Sequence, residues 1–131
     1  MTRDPDLSYF ERVALATVAG FPEPFRRMAR AVVVQVMDWP PPDMLADLDI
    51  DDPLELTGLY DGTPLTEASA TFPALAPDVV WLFREPILDE WRMRGDVRLD
   101  DLIAHVTIHE FAHHFGWSDA EIARIAPWVD D

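Results

Sequence analysis

The stretch His105–Asp119, HVTIHEFAHHFGWSD, decides how this chain is read. It places four histidines and a glutamate on one helical pattern, stops that pattern at Gly116, and sets an aspartate three residues later. At about 100° per residue, His109 and His113 lie about 40° apart on one helix face, one turn from each other. Two imidazoles so placed can reach one tetrahedral ion. Glu110 falls about 100° from His109, beside such an ion rather than in line with it. That position suits a group that touches water at the metal without being a ligand. Glycine accepts positive φ, so Gly116 lets the chain reverse and carry Asp119 back beneath the histidines as a third ligand. Three protein ligands leave one tetrahedral position for water.

The other helix positions agree with a central element. Leu99, Leu102, Ile103 and Val106 form one apolar arc, and Ala104, Ile108, Phe111, Ala112 and Phe115 form a second. Only a strip around Asp100, Thr107 and His114 is polar. A helix apolar on nearly two faces is buried in its domain. His105 sits one turn before His109, where it can approach a substrate or serve as a partner outside the ligand set, or stand as a cleft-edge imidazole. His114 is about 140° from His109 and cannot join the same ion, which leaves it a place at the cleft rim or in solvent.

Outward from this helix, the chain reads as one domain over residues 1–131, long enough for a core and too short for two. Hydrophobic residues make up 49% and Gly only 5, which argues for a folded protein despite 12 Pro. Asp6 is positioned to cap a helix carrying Phe10, Val13, Ala14 and Val18, with Gly20 and Pro22 ending it. A second short helix follows in PEPFRRMAR, with Pro22 or Pro24 in its first turn. AVVVQVMDW, Ala31–Trp39, is β-branched and short, which predicts a buried strand. A second strand starts near Leu54 and runs to the Asp61-Gly62 turn signal. VVWLFREP, Val79–Pro86, is the third. PILDEWRMRG is a short helix ended by Gly95, and Asp96 is placed to cap the long helix that reaches Phe115. Ser118 and Glu121 form a capping box for a last short helix. Helices, then strands, then helices predict an α+β domain with one small mixed sheet.

The formal net charge is −15, and all 10 basic residues are Arg. Nucleic acid and anionic membranes bind through positive patches, so neither is an expected partner. The absence of Cys removes disulfides and thiolate metal sites. The N-terminal segment lacks a basic region followed by an unbroken apolar run, and no apolar stretch approaches the ~20 residues of a membrane helix. The expected location is the cytoplasm.

A bare HExxH arises by accident in roughly 7 × 10⁻³ of chains with this composition, whereas HExxHxxGxxD arises in roughly 3 × 10⁻⁵. HEFAHHFGWSD resembles the HExxHxxGxxD signature of the Asp-zincins, zinc peptidases whose third ligand is an aspartate. The segment from about Phe25 to Ile125, including GLYDGTPL and VVWLFREPI, is similar to the short bacterial zincin-like metallopeptidases. That resemblance implies a minimal zincin-like domain, with a small mixed sheet packed on a C-terminal active-site helix. It implies one Zn²⁺ per chain held by His109, His113 and Asp119, with Glu110 as general base for hydrolysis of peptide bonds. The partner is then a peptide or protein substrate, flanked by basic residues if the acidic surface steers it. Tyr60, on the expected edge strand, is a candidate to donate its phenol to the developing oxyanion, or a half-buried strand aromatic. Arg84 is a second candidate electrophile, or an ion-pair partner for nearby carboxylates. One departure stands out: metzincins, which share the glycine turn, place a methionine turn downstream, and the 12 residues after Asp119 contain no Met. A catalytically inactive zinc-binding interaction module on the same scaffold is the second reading, and an acidic interaction domain without metal the third.

Overall fold

The computed structural model of the chain describes residues 5–62, 77–118 and 120–122. Helix α1 (Leu7–Ala19) starts where Asp6 accepts a hydrogen bond from the Tyr9 N–H at 2.9 Å, satisfying one of the free donors of the first turn. A short α2 (Phe25–Met28) and a 3₁₀ turn (Ala29–Ala31) lead into β1 (Val33–Met37). Helix α3 (Pro42–Asp47) and a second 3₁₀ turn (Pro53–Glu55) precede β2 (Gly58–Asp61). Strand β3 (Val79–Phe83) passes directly into α4 (Arg84–Arg94), and the long α5 (Leu99–Phe115) follows.

The sheet has the order β1-β3-β2, with β1 parallel and β2 antiparallel to β3. It is the small mixed sheet expected, and the domain is α+β. The face carrying Val80 and Leu82, both fully buried, belongs to the core with Phe10 and Ala14 of α1 and the apolar arcs of α5. Every apolar residue assigned to the two arcs of α5 is buried. Among the described residues no helix is long and apolar enough to cross a membrane.

Four local expectations are corrected. Strand β1 is not buried: it is an outer strand of the sheet, and its Val33 and Met37 are exposed. Leu54 belongs to a 3₁₀ turn and not to a strand; pairing begins only at Gly58. The third strand stops at Phe83, because Arg84 already starts a helix with Pro86 in its first turn, where a missing N–H costs nothing. Asp96 does not cap α5. The residue at the cap is Arg98, without a side-chain cap bond, and Asp100 and Asp101 supply the negative charge that suits a helix N-terminus. Val97 before it is tied instead to α4, its carbonyl accepting from the Trp91 indole at 3.0 Å. At the other end Gly116 takes φ 72° and ψ 32°, the left-handed conformation expected of it, and both Gly116 and Trp117 donate to the Ala112 carbonyl. Ser118 and Glu121 form the reciprocal bonds of a capping box.

Candidate active site

The site grows from one face of α5. His105, His109 and His113 follow one another at single-turn spacing, and the His105 and His109 rings stack at 4.5 Å between centroids, 20° from parallel. The His113 side chain is 66% exposed, whereas Glu110 beside it is 14% exposed. Their nearest polar atoms, His113 Nδ1 and Glu110 Oε1, are 3.7 Å apart. The helix therefore presents an open imidazole next to a sheltered carboxylate. Burial pushes the Glu110 carboxyl up from 4.5 to about 7, partly opposed by a hydrogen bond from the Tyr60 backbone N–H.

Strand β2 makes the shelter. A Cβ built on Gly58 would stand 2.8 Å from Val106 Cγ1, 3.0 Å from the Trp81 carbonyl oxygen and 3.2 Å from Glu110 Cγ. Glycine in this strand lets its backbone lie directly against α5 at the glutamate. Gly58→Ala is expected to destabilise the protein by about 1–3 kcal/mol, since a backbone carbonyl cannot swing away as a side-chain tip can. A urea midpoint equal to that of the parent would mean that strand and helix stand further apart than this.

Tyr60 lies two residues on, with its ring against His114 at 5.6 Å between centroids. Its hydroxyl donates to Asp78 Oδ2 at 2.6 Å and lies 3.2 Å from His114 Nδ1. Asp78 Oδ2 is also 2.8 Å from His114 Nδ1. His114 is consequently not at the cleft rim or in solvent: it is buried, and so is Thr107, whose hydroxyl donates to the Ile103 carbonyl at 2.8 Å. The polar strip expected along α5 is buried at Thr107 and, against Tyr60 of β2, at His114, and only its first member, Asp100, remains partly open, bonded to the Tyr9 hydroxyl. Asp78 was not singled out from the sequence. Nothing local marks it, because its partners are 18 and 36 residues away.

Of the two roles open to Arg84, the ion pairs are formed: its guanidinium donates to the Pro5 carbonyl at 2.6 Å, to Asp38 at 3.2 Å and to Glu85. Trp117 packs edge-on to Phe21 and Phe25 and stacks on Phe115, with centroids 4.9–5.4 Å apart. Asp119 lies outside the described residues. Among those that are described, no three His, Asp or Glu side chains converge on a common point.

A family model described as zincin-like metallopeptidase matches residues 29–129, from the turn before β1 to beyond α5. The chain belongs to the zincin-like metallopeptidases. No curated protein matches it. The described donors of this zincin-like domain fit zinc as far as they go. Two imidazoles one turn apart are of the right chemistry, and a carboxylate whose charge is disfavoured by burial is one that a divalent cation alongside would restore to its ionised form.

Proposed function

We propose that this zincin-like domain is a zinc-dependent peptidase in which His109, His113 and Asp119 hold the metal and Glu110 is the general base. The observation that carries the reading is the sheltered Glu110 carboxylate beside the exposed imidazole of His113. Zinc, when bound, polarises a carbonyl and lowers the pKa of water. Glu110 takes a proton from the attacking water on a carboxylate oxygen and passes it to the leaving amine. Its burial serves that task, since a base shielded from bulk solvent exchanges its proton with the reactants rather than with water. The exposure of His113 supports a site open to a substrate over a zinc closed in by protein groups.

Strand β2 stands at an edge of the sheet beside Glu110, where an extended peptide can add by main-chain hydrogen bonds. The net charge of −15 favours peptides carrying Arg or Lys near the scissile bond.

Zinc should be present at one ion per chain in protein purified without chelator and absent from His113→Ala. Metal analysis of the two side by side checks this. Equal zinc in both would remove His113 from the ligand set and with it the proposed centre.

A further inference from the structure

One residue of the edge strand meets α5 twice. The Phe83 N–H donates to the Thr57 carbonyl at 2.9 Å, which makes Thr57 and Phe83 a hydrogen-bonded antiparallel pair. With Gly58 opposite Leu82 and Tyr60 opposite Val80, the alternation leaves the N–H groups of Gly58 and Tyr60 pointing away from β3, along the free edge. Strand β2 lies directly against the Glu110 side chain, whose Cγ stands 3.2 Å from the position of a Cβ on Gly58, and the outward N–H of Tyr60 favours the ionised form of its carboxylate. The side chain of the same residue reaches Asp78 and His114. Glu110 and His114 are four residues apart, so they project from adjacent turns of one helix face.

We propose that Tyr60, Asp78 and His114 are positioning residues for Glu110: their part-buried network pins Tyr60 to α5, and the pinned backbone N–H holds the carboxylate in one orientation. The inference rests on the reading of Glu110 as the general base. Asp78 is the hinge of the network. Its Oδ2 accepts from the Tyr60 hydroxyl and lies 2.8 Å from His114 Nδ1, so one carboxylate oxygen joins both partners. Asp78 comes immediately before β3 and Tyr60 lies opposite Val80, so the three groups lock the end of the β2–β3 pair onto the helix at the level of the base. Gly58 brings the strand close; the network fixes its height along α5. Without it, a four-residue strand that among the described residues pairs with β3 alone could shift, and a carboxylate misplaced by an ångström loses much of its effect as a base.

The test compares parent, Tyr60→Phe and Asp78→Asn with three readouts. Amide hydrogen exchange at position 60, followed by NMR in metal-free protein, is expected to quicken about tenfold or more in both variants while β3 amides stay protected. In zinc-loaded protein, kcat for an internally quenched peptide selected by library profiling is expected to fall about 10-fold, with KM and zinc content unchanged. In a Glu110→Gln background, Tyr60→Phe is expected to cost nothing further, because the group it positions is gone. Unchanged exchange at position 60 would overturn the proposal. So would quickened exchange throughout β2 and β3 together with lost zinc, since the network would then be a general brace. An equal loss of kcat with and without Glu110 would show that it acts on something else. Absence of hydrolysis in the parent would sink the peptidase reading, while the exchange comparison would still decide whether the network holds the carboxylate.

Discussion

Glu110→Gln is expected to retain its zinc and to hydrolyse peptides about 10²- to 10⁴-fold more slowly than the parent, the range a positioned general base contributes. Glutamine keeps the shape of glutamate and still offers an oxygen to the Tyr60 N–H, so the packing of β2 on α5 should survive the change. What it cannot do is take a proton. Because Glu110 lies about 100° around the helix from His109, its loss leaves the two histidines and their spacing untouched. Metal content and kcat measured on one preparation separate the possibilities. A variant that lost zinc along with activity would make Glu110 a ligand. One that kept both would make it a bystander.

The same glutamate governs the metal-free protein in a different way. Its carboxyl titrates near 4.5 when unfolded and at about 7 when folded, so between those values the folded chain holds a proton that the unfolded chain has released. Stability from this group is complete below 4.5, and it declines as pH rises through about 7. The loss above that point is about 3 kcal/mol. In EDTA, the parent should therefore lose stability from pH 5 to pH 8 relative to Glu110→Gln, which has no proton to release, and the variant should be the more stable of the two at pH 8. Urea denaturation of both proteins at the two pH values isolates the effect, since every other carboxylate is common to both. A difference that did not change with pH would mean that Glu110 is solvated and the shelter of β2 absent. Zinc should abolish the contrast by stabilising the ionised form.

The helix that carries the candidate site is legible in the sequence. The helix from Leu99 to Phe115, its glycine stop and the Asp6 cap of α1 are set by groups within a few residues of each other, and periodicity and capping rules read such local relations directly. The register of His109, Glu110 and His113 follows from helix geometry alone. The errors lie where a residue's fate is decided by distant chain. Thr107 and His114 look like the polar face of α5, yet the fold buries both. Tyr60 reads as an edge-strand aromatic, and only the fold brings its hydroxyl to Asp78. Gly58 did carry a signal, because a glycine inside a strand pattern marks a close backbone approach. The partner it approaches was not readable.

The aromatic cluster beyond α5 bears on how tightly a metal would be held. Phe21 and Phe25 come from the segment after α1, and they clasp Phe115 and Trp117 on either side of Gly116. The reversal of the chain after α5 is thus held by apolar burial, with the Ser118–Glu121 capping pair beyond it. Its conformational entropy is lost when the rings pack, before any ion arrives. Small zinc modules that fold only around their metal must order the chain at the moment of binding, which lowers their net affinity. Over Gly116–Ser118 that ordering precedes any ion, so this part of the reversal would subtract little from the affinity of the proposed centre, and removing zinc would leave it standing.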